Sequence, residues 1–284
     1  MKRVLLTGGT GFIGINILPI ISEVAEVFAP RRAELDLKSE TAVRNYLIEN
    51  KIDYVLHCAN PNPVKNSLDS QDMMFEDSLR IFMNLYAARD IYEKMFFLGS
   101  GAEYNKDIEM HLIEEIECFR KIPDNSYASY GLAKYIENAL ASKSDNIYNL
   151  RVFACYGPHD HSTKFISHCI NCCLRGKDIT INQDCYFDFL HVEDLGKMLA
   201  WHLTHDQKYH DYNMTYGNPI LLSDIAKEVR RQMNSDAEII VKNPGLNMEY
   251  TGSNKRFVEE SGFSPTISIE EGISKQIEWE KAVQ

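Results

Sequence analysis

Tyr130-Gly131-Leu132-Ala133-Lys134 sets a phenol and an amine four residues apart. On a helix that spacing puts both on one face. An ammonium beside a phenol stabilises the phenolate, whose ordinary pKa is about 10. A phenol so placed can give or take a proton near neutral pH. Tyr127 is the internal control, because its i+4 residue is Gly131 and it lacks the amine partner. The second chemical cluster is Thr7-Gly8-Gly9-Thr10-Gly11-Phe12-Ile13-Gly14. Gly8 permits a tight turn, Gly11 lets backbone approach a pyrophosphate, and Gly14 lets a helix pack close to a strand. The free amides of the helix start, at Phe12 and Ile13, then face the phosphates. Glycines also serve ordinary tight turns; the position directly after the first strand favours the dinucleotide reading.

The end of the second strand separates two cofactors. A dinucleotide without a 2′-phosphate usually has its ribose held there by Asp or Glu. This chain has Phe28-Ala29-Pro30-Arg31-Arg32 instead. Guanidinium groups suit a dianionic phosphate. Arg31 and Arg32 therefore predict NADP(H) in preference to NAD(H). The rival reading is a solvated basic turn.

Residues 4–7, 26–29, 54–58, 95–98 and 150–154 are short apolar runs of strand type. Helical patterns lie between them, at about 12 onward, 41–50, 72–92 and 127–142. Asn125-Ser126 is a candidate cap for the last of these. Pro19 should kink or shorten the first helix. The alternation predicts an α/β fold, a Rossmann-type doubly wound parallel sheet with ligands at the carboxyl ends of its strands. Residues 1–156 and 187–215 are assigned to a cofactor-binding domain. Residues 157–186 and 216–284 are assigned to a smaller, discontinuous α/β substrate lobe.

The chain has 284 residues, 44% hydrophobic and 25% charged, which excludes wholesale disorder, collagen and coiled coil. Thirty Lys and Arg against 41 Asp and Glu leave a formal charge of −11, unsuited to general nucleic-acid binding. No apolar run is long enough to span a membrane, and no secretory signal is recognisable. Seven cysteines at irregular spacing fit reduced thiols, so a cytoplasmic protein is expected.

Several blocks in order resemble the extended short-chain dehydrogenase/reductase family of nucleotide-sugar epimerases, dehydratases and reductases. Besides the glycine loop and the Tyr-x-x-x-Lys set, they are Leu56-His57-Cys58-Ala59, the run Phe97-Leu98-Gly99-Ser100-Gly101-Ala102-Glu103-Tyr104, the run from Arg151 to Pro158 and the run from Asp188 to Leu195. The resemblance covers nearly the whole chain. It implies that Tyr130 is the general acid or base, and that Lys134 stabilises the phenolate and holds the nicotinamide ribose. It makes Ser100 the hydroxyl that polarises the substrate oxygen. Asp36 and Leu37 sit where the family contacts adenine, Cys58 and Ala59 border the cofactor, and Tyr104 falls beside the substrate. The resemblance also implies a homodimer formed through the helices over 79–92 and around Tyr130.

Departures from the family pattern narrow the chemistry. Dehydratases carry Asp-Glu straight after the catalytic hydroxyl, where this chain has Gly101 and Ala102. The 3,5-epimerase/reductases use a Cys at the position of Ala102 and a His near Lys164. What remains is a Ser-Tyr-Lys set, sufficient for hydride transfer at one carbon. Substrate contacts also depart: Phe187 and Asn243 replace arginines, and Ala154 replaces an Asn. Lys164, Arg175 or Lys242 can substitute as phosphate contacts. A sugar without a nucleotide, or another small ketone, remains open.

His168, Cys169, Cys172 and Cys173 invite a metal reading, but no second ligand pair follows, and the stretch has helical apolar spacing. No metal is expected. His159-Asp160-His161 reads as an exposed loop, with substrate contact as the alternative, and Glu114-Glu115-Ile116-Glu117 as a solvated face. The sequence therefore predicts an NADPH-dependent ketoreductase acting at C4 of a 4-keto-6-deoxy nucleotide sugar. The alternatives are an NAD(P)-dependent epimerase and a non-catalytic NADP sensor.

Overall fold

The computed structural model describes residues 1–62, 69–70, 72–105, 107–120, 122 and 128–283, with only the backbone of Ala128 and Ser129. The proposed cap at Asn125-Ser126 and the control Tyr127 lie outside the described residues.

The elements run β1 (Lys2–Thr7), α1 (Phe12–Ser22), β2 (Ala25–Phe28), α2 (Glu40–Glu49), β3 (Tyr54–His57), α3 (Met74–Ala87), β4 (Lys94–Ser100) and β5 (Met110–Ile113). They continue with α4 (Ala128–Ala141), β6 (Ile147–Val152), β7 (Ala154–Tyr156), α5 (Phe165–Leu174), β8 (Ile179–Asp184), β9 (Tyr186–Phe187), β10 (Phe189–His191) and α6 (Val192–Thr204). The chain closes with β11 (Asp211–Met214), β12 (Ile220–Leu221), α7 (Leu222–Met233), β13 (Ile239–Leu246), β14 (Tyr250–Gly252), α8 (Lys255–Ser261) and α9 (Ile269–Ala282).

The central sheet has six parallel strands in the order β11-β6-β4-β3-β1-β2. Its strands alternate between two cores, as a pleat buried on both faces requires. Val4, Leu6, Leu56, Phe96 and Leu98 face one core with Ile17 of α1 and Leu195 and Leu199 of α6. Leu5, Val55, Met95 and Phe97 face the other, against Val43 of α2 and Phe82 and Leu85 of α3. The chain leaves β1 to one side for β2 and returns on its other side for β3. That reversal places the glycine loop at the sheet's switch point, where a ligand crevice opens.

Pro19 does not shorten α1, which runs on to Ser22. Pro19 and Ile15 are both exposed, so the carbonyl that Pro19 leaves without a donor can turn to solvent. The long helix over 72–92 stops at Ala87, where the Ala88 amide turns back to the Leu85 carbonyl. The strand over 150–154 divides into β6 in the main sheet and β7, which pairs with β10.

A separate cluster joins Cys169, Ile170 and Cys172 of α5 to Ile179 and Ile181 of β8, Ile225 and Val229 of α7, and Ile273 and Ile277 of α9. Beside it β12, β9, β14 and β5 form a four-stranded sheet. This sheet brings Phe187 and Tyr250 over the carboxyl end of the central strands.

Candidate active site

A cleft of about 1270 Å³ runs along the carboxyl ends of the sheet. It exceeds the usual range for one small ligand, roughly 300–1,000 Å³, so it has room for a dinucleotide and a second molecule. Its wall includes Gly8, Gly11, Phe12, Ile13, Gly14, Arg32, Asp36, Leu37, Cys58, Ala59, Ser100, Tyr130, Lys134 and Lys164. Residues far apart in sequence thus share one cavity.

The glycine loop is built for close approach. Gly8 has φ of +75°, a left-handed conformation that suits glycine. A Cβ on Gly8 would come within 2.7 Å of the Ala59 amide nitrogen, so β3 and the loop touch backbone to backbone. The Gly11 amide donates to the Gly8 carbonyl at 2.9 Å. Among the described residues no side chain caps α1, which leaves its first-turn amides for an anion. The Thr7 hydroxyl accepts the Ala59 amide at 3.2 Å and lies 2.7 Å from His57 Nδ1. Burial, helped by the Lys134 charge, pushes His57 down to about 3, so the imidazole is neutral. These features fit a bound dinucleotide, with its pyrophosphate at the loop.

At the adenosine end, Arg32 is on the wall and half-exposed, with Nη2 2.9 Å from the Asp69 carboxylate. Arg31 is not on the wall; its backbone makes a turn with Glu34 and its side chain is exposed. Lys38, which the sequence reading passed over, also lines the cleft and reaches Asp77 of α3 at 2.5 Å.

At the other end, α4 carries Tyr130 and Lys134, and β4 ends on Ser100. Ser100 Oγ accepts the Ala102 amide at 3.1 Å, and the Ser100 amide donates to Glu103 at 2.9 Å. This reciprocal box fixes the serine at the start of a short 3-10 turn, Gly101–Glu103. Glu103 is fully buried, 2.6 Å from Arg151 Nε and 2.9 Å from Asn149. Lys134 Nζ lies 2.9 Å from the Glu137 carboxylate, and both side chains are buried.

Tyr250 was missed at the sequence level. Its hydroxyl hydrogen-bonds the Ser100 side chain, and it lies close enough to Tyr130 for a charge there to be felt. No motif announces it, because β14 delivers it from the far end of the chain. Its ring packs on Phe153 and Phe187, with centroids 5.2 and 5.3 Å apart. A Cβ at Gly101 would press on the Tyr250 hydroxyl and come within 2.6 Å of the Phe153 ring.

Tyr104, expected beside the substrate, does not reach the cleft wall. It is buried behind Ser100, and its hydroxyl donates to Asn213 Oδ1 at 2.9 Å. The loop after Tyr156 is not simply exposed either. Asp160 is buried, Asp160 and His161 line the cleft with Lys164, and His159 packs on Trp279 at 4.7 Å. Glu115, expected in a solvated acidic face, is buried and accepts the Asn213 amide at 2.8 Å. Among the described residues, no group of three His, Cys, Asp or Glu side chains gathers as a metal site, and no helix is long and apolar enough to cross a membrane.

Comparison with known proteins gives the same grouping. The chain is 25% identical over 305 residues to a GDP-L-fucose synthase of Sinorhizobium fredii, covering 98% of this chain and 95% of that one. It is 24% identical over 337 residues to a dTDP-D-glucose 4,6-dehydratase of Mus musculus, covering 98% and 88%. In three dimensions it superimposes on a GDP-L-fucose synthetase from Naegleria fowleri bound to NADP with a TM-score of 0.85, at 18% identity over 99% of this chain and 94% of that one. The model of the NAD dependent epimerase/dehydratase family matches residues 4–215. The chain belongs to that family, an NAD(P)-dependent enzyme of the extended short-chain dehydrogenase/reductase type.

Proposed function

We propose that the chain is an NADPH-dependent ketoreductase that reduces C4 of a 4-keto-6-deoxy nucleotide sugar. The observation that carries this reading is the crowding at Gly101, where the Tyr250 hydroxyl and the Phe153 ring leave no room for a side chain. A dehydratase needs an acid at that position. Without it, the hydroxyls of Ser100 and Tyr130 and the Lys134 amine suffice for adding hydrogen across one carbonyl.

When bound, the reduced nicotinamide supplies hydride to the carbonyl carbon. The chain's own residues do the rest. Ser100 orients the carbonyl oxygen by hydrogen bonding, Tyr130 gives that oxygen its proton, and Lys134 stabilises the phenolate left behind. Arg32 on the cleft wall supports a 2′-phosphate, hence NADPH. Lys164, also on the wall, supplies positive charge for the substrate's phosphates. The seven unpaired thiols suit a reducing, cytoplasmic setting.

One observation favours a second reading. Asp69 is on the same wall as Arg32, and a carboxylate suits a free 2′-hydroxyl. That would favour NAD, and with it a C4 epimerase that returns its hydride. The test is NADPH consumption with a 4-keto-6-deoxy nucleotide sugar. Steady oxidation that depends on the ketone supports the reductase. Interconversion of the two 4-hydroxy epimers, offered in place of the ketone, with no net cofactor change replaces it by the epimerase.

A further inference from the structure

One helical turn beyond Lys134, on the inner side of α4, stands Glu137. Its Oε2 lies 2.9 Å from Lys134 Nζ, and the two side chains are 1% and 4% exposed. Either charge left alone in such a place is costly, because removing one partner leaves the other buried and uncompensated. Two other Lys–Glu pairs one turn apart, Lys255 with Glu259 on α8 and Lys275 with Glu271 on α9, are open to solvent in whole or in part. This pair is buried directly behind the reacting end of the cleft.

We propose that Glu137 is a positioning residue of the reaction centre, a buried counter-charge that fixes the Lys134 ammonium behind the nicotinamide-ribose end of the cleft. The proposal rests on the reading that Lys134 faces that ribose.

The surroundings leave Glu137 as the partner that matters. On α4 itself the other ionisable neighbour of Lys134 is Tyr130. From the 3-10 turn comes Glu103, which Arg151 of β6 neutralises at 2.6 Å. From the end of β3 come His57, held neutral, and Cys58, whose thiol burial pushes up to about 12. Cys118 accepts from Asn138 at 3.5 Å, and its thiol is also pushed up to about 12 by burial. The charges of α3 turn elsewhere: Asp77 binds Lys38, while Glu76 and Arg80 are exposed. Burial pushes the Lys134 ammonium down, but Glu137, then Tyr130, outweigh it and leave the amine above its usual range. Burial also pushes Glu137 up to about 7, against the pull of Lys134. Above neutrality both partners are therefore charged, and the ammonium persists on the basic side.

Without the carboxylate, burial dominates and Lys134 loses its proton at lower pH. The amine then offers the ribose hydroxyls a weaker, uncharged donor. The readout is NADPH affinity between pH 6.5 and 9, with NADH in parallel, which needs no substrate. Wild type should vary little between pH 7.5 and 9. Glu137→Gln should bind within about twofold of wild type at pH 6.5 and lose about tenfold by pH 9, the scale of one charged hydrogen bond. Glu137→Met, which keeps the length and helix propensity, carries the same expectation should the amide fail to fold. Glu137→Asp keeps a charge and should restore the flat profile. Profiles that superimpose on wild type, or a loss equal at every pH, would overturn the role. Failure of wild type to bind either cofactor would remove the functional reading itself, and this role with it.

Discussion

Tyr130 and Lys134 were legible because a phenol and an amine on one helical face have a chemical meaning that needs no third residue. Ser100 was legible only beside its neighbours in the chain. Glu137 stood in plain sight three residues after Lys134, yet nothing in the spacing says that the pair is buried. Tyr250 could not be read at all, since its place beside Ser100 depends on β14 joining a sheet with β5 and β9. We expect Tyr130→Phe to lose about 10²-fold or more in turnover, the scale of a lost general acid. Its NADPH affinity should match wild type, which a paired titration and rate measurement would check.

Alignment with the family favours Arg32 over Arg31, and a one-residue slip would exchange them; the turn that Arg31 makes with Glu34 separates the two in space. Arg32 alone of the two is on the cleft wall. A charge-assisted contact is worth about 1.5–3 kcal/mol, or roughly 10- to 150-fold in affinity. Arg32→Ala should lower NADPH affinity by that factor and leave NADH affinity nearly unchanged. Arg31→Ala should alter neither. Equal losses in the two variants would return the phosphate contact to both residues.

At the scale of elements, the strand–helix alternation carried most of the central sheet. Parallel strands buried on both faces announce themselves as apolar runs between glycine and polar breaks. The small sheet of β5, β9, β12 and β14 was less visible, because its strands are two to four residues long and pair across the chain. The acidic run around Glu115 misled for a similar reason: its partner, the Asn213 amide, lies on β11. Helix α6 offers a test of packing against charge. His202 is buried among Phe96, Trp201, Tyr212 and Phe257, and neither ring nitrogen has a hydrogen-bond partner among the described residues. Burial pushes it down to about 3, well below its ordinary 6.5. Between those values the unfolded chain takes the proton and the folded one does not, so stability is lost as pH falls from 6.5. One such group costs about 2 kcal/mol between pH 6.5 and 5. Asp188 and Glu137, raised to about 6 and 7, act with the opposite sign, so the whole curve is a sum. His202→Leu isolates one contribution. Denaturant unfolding should show its deficit at pH 7.5 shrinking by about 2 kcal/mol at pH 5. An unchanged deficit would mean that His202 is charged, or solvated, in the folded protein.

At the scale of the molecule, we expect a homodimer, the commonest closed assembly. Met83 on α3 is exposed, as are Ile116, Phe119 and Ile122 in the segment before α4, and Phe119 meets Tyr135 of α4 edge to face. A solution mass at micromolar concentration should be twice the chain's; a monomer would leave those side chains without an explanation. Net reduction can be followed by isotope transfer. NADPH carrying deuterium on its reactive carbon is incubated with a 4-keto-6-deoxy nucleotide sugar. The reductase account predicts one deuterium at the new carbinol carbon for each NADP released. A carbinol carbon without deuterium although NADPH is spent, or ketone left unreduced with cofactor bound, would contradict it.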